Sequence, residues 1–366
     1  MDSEPNRRDF LRVSAAVSAA LVCARAPGAS QEAADDGRLA VLRELLAFNG
    51  TKHPIYGGGL ANHLSMELCA LYSLGASAER LRTFAESYGT ALVPLPEGGP
   101  DVEPEDWRGA LGKPEALPGM VRMFAEQIRR RGRDAVLREA LAEFAPTVAS
   151  ELFHCMIRTA YGVQFEHDRD VAIGLAYWAL KPLPLGPLDA KPGGERDFAA
   201  VLARVRETPA LKNARLTGNS NPGRMRQAAE LAGFAEVVNA YAIDDDALAR
   251  LANAVLDLYA TTADFTALHA VTSTHALRVL LPYFPDRERT LRFQAQGLVA
   301  AYVRMGAPAI ETCFASDAAP WEAIVARAFP SSDDHDAKFV YSCREEERAH
   351  GGTTYRFAAQ RRVGPA

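Results

Sequence analysis

Eight histidines are scattered through 366 residues, and two of them share the stretch Asp264–Pro282. DFTALHAVTSTHALRVLLP is apolar and helical in pattern, yet it carries His269 and His275 and has no lysine. An imidazole inside an apolar helix is either a packed core group or a ligand aimed at a pocket. Six residues apart, the two rings point about 120° from each other around a helix axis, so a straight helix offers one of them, not both, to a shared site. Three further histidines lie on other helical segments. His63 opens an apolar stretch with Glu67 one turn on, as a helix-start pair or as part of a site. In ELFHCMIRTAY, Glu151, His154, Arg158 and Tyr161 fall on one helical stripe, which is either a solvent face or the wall of a polar pocket. In SSDDHDAKFVY, Ser331 or Ser332 caps a helix whose first turn holds Asp333 and Asp334, and His335 and Lys338 then point the same way. His53, His167 and His350 read as surface or loop residues. Neutral imidazoles converging from several helices suit iron, zinc or copper. Glu-x-x-His, the helical pattern of di-iron carboxylate bundles, occurs at Glu151–His154 and Glu347–His350, which leaves a ferritin-like reading open.

Other chemistries lack their signatures. No Gly-x-Gly-x-x-Gly follows a strand, so nothing supports NADPH or another dinucleotide, and there is no phosphate-binding Walker loop. Gly218-Asn219-Ser220-Asn221-Pro222 lacks the final glycine and the strand of a nucleophile elbow. The formal charge of −5 argues against a nucleic-acid surface. No apolar run approaches the ~20 residues of a membrane span.

The elements that must position these groups are helices. The expected fold is all-α, one large domain of about a dozen helices over residues 38–350, because strand-period alternation is scarce. Expected helices include Leu39–Phe48, Asn62–Leu74, Gly119–Arg131, Asp134–Phe144, Thr147–Val163 and Val171–Leu180, the last capped by Asp168 or Asp170. Met225–Ala242, Asp245–Tyr259, Asp264–Leu281, Arg287–Met305, Pro320–Ala328 and Ser331–Glu347 follow. LKPLPLGPLDAKPGG at 180–194 carries four prolines and reads as a packed loop. Residues 351–366 form a tail, with a short strand or coil at Thr353–Arg362. Residues 1–30 read as an export signal: Arg7-Arg8 with Phe10-Leu11, then a weak apolar run, resembles the twin-arginine type, which exports folded and commonly cofactor-loaded proteins. Cys23 lies in that segment. The other four cysteines read as free thiols, Cys69 and Cys155 buried among apolar residues, with Cys313–Cys343 the only pairing the pattern allows.

Four blocks, in order, resemble the questin oxidase-like family: Asn62-His63-Leu64-Ser65-Met66 with Leu74-Gly75-Ala76-Ser77; Leu152-Phe153-His154-Cys155-Met156-Ile157-Arg158-Thr159-Ala160-Tyr161-Gly162; Leu268-His269-Ala270-Val271-Thr272; and Asp334-His335-Asp336-Ala337-Lys338. The resemblance implies a helical oxidoreductase that uses O2 on an aromatic or polycyclic polyketide-like molecule. It implies a mononuclear non-haem Fe(II) held by His63, His154, His269, His335 and Lys338, the lysine carboxylated by CO2. Arg158, Tyr161 and Glu67 are then candidates for supporting the ligands or polarising the substrate, and Tyr56, Phe153, Tyr177 and Trp178 for lining an apolar cavity. His275 becomes a packed or supporting histidine. A helical protein that binds an aromatic ligand without turnover is the competing class.

Overall fold

The computed structural model describes residues 29–312, 314 and 318–364. The expected signal segment, with Cys23, lies before Ala29 and so outside the described residues. Within them the chain is a single helical domain, with seventeen α-helices and one two-stranded hairpin. In chain order the helices are α1 (Ala29–Asn49), α2 (Leu64–Leu74), α3 (Ala78–Gly89), α4 (Leu117–Arg131), α5 (Arg133–Phe144), α6 (His154–Gln164), α7 (Asp168–Leu180), α8 (Phe198–Glu207), α9 (Pro209–Lys212), α10 (Asn221–Ala229), α11 (Phe234–Asn239), α12 (Ala247–Thr262), α13 (Phe265–Leu280), α14 (Arg287–Arg304), α15 (Trp321–Ala328), α16 (Asp336–His350) and α17 (Thr354–Val363).

The all-α expectation holds, and several boundaries differ for local reasons. The expected Met225–Ala242 helix is two, α10 and α11, separated at Gly233 with φ 86°. Thr353–Arg362 is neither strand nor coil. It lies in and around helix α17, which buries Tyr355, Ala358 and Ala359 against α12 and α16. Neither Asp168 nor Asp170 caps α7, whose N-cap is His167; Asp170 turns inward instead. Cys69, Cys155 and Cys343 are buried free thiols, as expected, and Cys343 is not bridged; Cys313 lies outside the described residues.

Helices α6 and α7 pack most closely, with α13 across α6 and α16 against both α2 and α13. Two glycines set the α6–α7 distance. A Cβ on Gly162 would lie 2.7 Å from the Val171 nitrogen, and one on Gly174 only 2.5 Å from Thr159 Oγ1 and 3.0 Å from Thr159 Cα. Backbone cannot yield as a side-chain tip can, so the helices must separate to admit a methyl group. Gly174→Ala is expected to lower stability by about 1–3 kcal/mol, the range for overpacking, read as a lower denaturant midpoint with unchanged m-value. An unchanged midpoint would mean that the two helices are not held at this spacing.

The hairpin pairs β1 (Ile55–Tyr56) with β2 (Leu60–Ala61) in antiparallel register, Ile55 opposite Ala61 and Tyr56 opposite Leu60. Its turn, Gly57-Gly58-Gly59, has φ of 54°, 82° and 142°. Three successive positive values explain the run of glycine, the residue that adopts them at least cost. The loop lines the same cavity as His63 and His154, at the starts of α2 and α6.

Candidate metal centre

Four helices direct their N-terminal ends toward one point. His63 is the N-cap of α2, His154 the first residue of α6, His335 the N-cap of α16, and His269 stands in the second turn of α13. Each offers a ring nitrogen to a group in which all four atoms lie within 4.8 Å of one another. Ring centroids are 4.8 Å apart for His63 and His154, 4.5 Å for His154 and His269, and 5.1 Å for His269 and His335.

The hydrogen bonding decides which nitrogen faces inward. Nδ1 of His269 donates to the Phe265 carbonyl at 2.8 Å, and Nδ1 of His154 to the Glu151 carbonyl. Two neighbouring carboxylates serve the other two: Asp333 Oδ1 accepts from His335 Nδ1 at 3.1 Å, and Asp334 lies against both rings. Asp334 Oδ1 lies 2.7 Å from His335 Nδ1, and Oδ2 lies 3.0 Å from His63 Nδ1, the latter not well aligned for a hydrogen bond. With an oxygen close to Nδ1 of every ring, all four Nε2 atoms are buried and without any partner. Buried polar atoms are normally satisfied. Four orphaned lone pairs in one place, each backed by an oxygen on the opposite nitrogen, are the arrangement found around ligated metals.

The electrostatics agree. Burial, followed by the Lys338 charge, drives the His63 imidazole well below its ordinary pKa and that of His154 down to about 3. Burial and then His154 do the same for His269. The positive ends of four helix dipoles act in that direction too. Neutral imidazole is the ligating form. Asp334 stays ionised: burial pulls its carboxyl up, but the adjacent His335 and His63 rings outweigh this and hold it well below the usual range.

Lys338 lies in the first turn of α16, fully buried, with Nζ lacking any partner. Burial lowers its pKa, partly offset by Asp334 and Glu67. A buried amine biased toward the neutral form is the species to which CO2 adds, and the carbamate formed is an anionic oxygen donor. The residues present therefore fit a metal of the iron–zinc–copper group.

Of the three supporting candidates, Glu67 braces the helix start that carries His335 and Lys338, while Arg158 and Tyr161 make their main contacts away from the four rings. Glu67 is not paired with His63. Its carboxylate accepts from the Ala337 and Lys338 backbone N–H groups at 3.0 and 2.8 Å, pinning the start of α16 to α2. Arg158 is buried and bound to Asp170 at 2.6 Å, and Asp170 also receives His167 Nδ1 at 2.9 Å and Asn49 Nδ2 at 3.3 Å. His167 is thus part of a buried network rather than a surface residue, and Arg158 faces α7 rather than the histidines. Tyr161 is buried beside His275, with ring centroids 6.2 Å apart. The stripe read as solvent face or pocket wall is neither along its whole length: it is interior, and its members diverge.

The two Glu-x-x-His motifs do not meet. His335 caps one end of α16 and His350 closes the other, about 22 Å away at 1.5 Å per residue. Glu347 pairs with Arg356 at 3.2 Å, and His350, far from being a loop residue, lies 3.3 Å from the buried Glu346. No second pair of inward carboxylates joins the histidines among the described residues, which removes the di-iron reading.

A cavity of about 560 Å³ opens onto the centre, with His63, His154 and His335 in its wall. Tyr56 and Tyr177 line it as expected, whereas Phe153 and Trp178 do not. Trp178 stacks on Phe144 with centroids 5.2 Å apart and donates to the Thr147 carbonyl. Sequence reading missed Asp334, treated as a helix-start acid, and Phe265, which covers His269 at 4.4 Å and His335 at 5.0 Å between ring centroids. It also missed that segment 219–224 completes the cavity wall. The Asp-Asp-His-Asp run was the available signal for the first; nothing local marked the others.

The region that carries this arrangement, residues 60–343, matches the family model described as Questin oxidase-like. Among characterised proteins, the chain is 24% identical to questin oxidase of Aspergillus fumigatus in an alignment covering 86% of this chain and 82% of that protein. It is 25% identical to questin oxidase of Aspergillus terreus over 38% of this chain and 34% of that one. With more than half its length matched by the family model, and all four converging histidines inside that span, this chain belongs to the questin oxidase-like family.

Proposed function

We propose that this protein is an O2-dependent oxidoreductase acting on an aromatic or polycyclic polyketide-like molecule at a mononuclear iron centre. His63, His154, His269 and His335 would hold the metal through Nε2, and Lys338 through a carbamate. The observation that carries the reading is the set of four buried, partnerless Nε2 atoms beside a cavity whose wall includes Tyr56, Tyr177 and Phe265. Iron bound there supplies one-electron chemistry with O2 that an organic substrate alone lacks. The chain's own residues do the rest. Asp334 keeps two imidazoles oriented and balances charge. Glu67 fixes the turn that carries Lys338. Tyr56, Tyr177 and Phe265 present apolar surface, and 560 Å³ is within the range that takes a ligand of drug-like size. Export through the twin-arginine pathway belongs to the same proposal, since a site assembled from four helices binds its metal only in the folded chain.

Protein purified without added metal and analysed for transition metals, then given a hydroxyanthraquinone in air, is expected to contain iron and to consume O2. Stoichiometric binding without O2 uptake would establish the non-catalytic alternative instead. Metal content under about a tenth of an equivalent would sink the centre itself, because a site of this kind binds tightly. The lysine has its own test. Stripped protein reloaded with Fe(II) in CO2-free buffer should take up less metal than with bicarbonate, and Lys338→Ala should be indifferent to bicarbonate. Equal bicarbonate dependence in the variant would exclude the carbamate.

A further inference from the structure

The lining of the cavity contains a guanidinium that no internal acid neutralises. Arg224, in the first turn of α10, is half-buried, and its Nε donates to the Gly218 carbonyl at 2.8 Å. Its two terminal nitrogens have no acceptor among the described residues. Of the acids in the wall, Asp334 serves His63 and His335, and Glu151, whose carboxyl burial pushes up in pKa, forms no ion pair with Arg224. Arg304, the neighbouring cation, is already engaged by Thr266 and by Asp264 at 3.8 Å.

Arg224 is also held in place. Gln227 Oε1 accepts from the Thr217 and Gly218 backbone nitrogens at 3.0 and 2.9 Å, and Ser220 Oγ caps the Gly223 nitrogen at 3.2 Å. Gly218 is a glycine because a Cβ there would lie 3.0 Å from the Arg224 nitrogen. The loop is therefore folded tightly onto the start of α10. It fixes the carbonyl to which Nε is tied, so the two free amines are oriented before a ligand arrives. A guanidinium anchored through Nε keeps a two-pronged donor face suited to a planar oxyanion, and pre-ordering lowers the entropic cost of binding.

We propose that Arg224 selects aromatic substrates bearing an oxyanion, a carboxylate or an ionised phenol, by pairing with it at the wall of the cavity. This rests on the aromatic-substrate reading above and narrows it. The probes are anthraquinone-2-carboxylate, its methyl ester and 1-hydroxyanthraquinone, titrated by absorbance against metal-containing full-length protein above and below the phenol pKa. The native protein is expected to bind the carboxylate about tenfold more tightly than the ester, about 1.4 kcal/mol. Preference for the hydroxy compound only above its pKa would identify phenolate as a second source of the same charge. Arg224→Gln should abolish the discrimination while leaving ester affinity and metal content unchanged, and Arg224→Lys should restore part of it. If both neutral and anionic probes bind and Arg224→Gln leaves their ratio intact, the assignment is overturned alone. If neither probe binds the native protein, the aromatic-substrate reading falls and takes the assignment with it.

Discussion

Arg158→Met lowers the stability of the protein by about 3–5 kcal/mol, the cost of leaving a buried charge without its partner. Asp170 is 2% exposed and receives Arg158, His167 and Asn49. Burial raises its carboxyl pKa, but the Arg158 charge and His167 more than reverse this, and the net position is below the ordinary value. In the native protein this depressed pKa contributes stability above pH ~4, lost as pH falls through the folded value. Without Arg158 the largest remaining influence is burial, so the pKa of Asp170 rises above that of the unfolded chain. The folded state then binds the extra proton, and the contribution changes sign. The deficit of the variant should be greatest near neutrality and shrink as pH drops toward 4. Denaturant melts of both proteins at several pH values check this. A deficit that is flat with pH would mean that the loss is packing, not an uncompensated carboxylate. Because the Arg158 guanidinium also reaches the Asn62 carbonyl at 3.4 Å, the loop before His63 loosens with it, and metal affinity should fall in parallel with stability.

Arg158 also shows what kind of information the sequence carries. Helical periodicity placed it, with Glu151, His154 and Tyr161, on one stripe, and that much is local. What the stripe faces depends on Asp170, twelve residues on in another helix, and no spacing rule connects the two. The break before His154 is similarly hidden. An unbroken helix from Thr147 is the simplest reading of TVASELFH, since the run has neither glycine nor proline. The chain instead passes through Glu151, Leu152 and Phe153 with φ of 49°, 54° and 70°. Left-handed conformations at three non-glycine residues cost energy, of the order of 1–3 kcal/mol each, and persist where surrounding packing imposes them. Here they make His154 a helix start and put the Glu151 carbonyl on its Nδ1. Helix existence and the all-α class were legible because they rest on short-range pattern. The convergence of His63, His154, His269 and His335 rests on how α2, α6, α13 and α16 pack, which the four family blocks implied and periodicity alone did not.

The two histidines of α13 give the second large effect. His269→Ala is expected to cut bound metal by at least tenfold, while His275→Ala keeps the site filled and lowers stability by about 1–3 kcal/mol, the cost of a lost buried hydrogen bond and a small cavity. Both rings are fully buried, so exposure does not separate them. Their surroundings do. His269 has its Nδ1 on the Phe265 carbonyl and its Nε2 among the other three histidines. His275, a third of a turn away, has Nδ1 3.0 Å from Ser342 Oγ and stands against Tyr161 and Tyr341, with centroids 6.2 and 5.6 Å away. Burial, moderated by Glu346, brings its pKa down to about 4, so it stays neutral and tethers α13 to α16. That tether gives His275 an indirect hold on the centre, because α16 carries His335 and Lys338. His275→Ala should therefore weaken metal retention against a chelator only to the extent that it loosens α16, and His275→Asn, which can still reach Ser342, should recover most of the stability. Metal analysis and melts of the three variants separate these roles. If His275→Ala empties the site while His269→Ala retains it, the ligand set is wrong at this position and α13 must be rotated relative to its neighbours in the metal-bound protein.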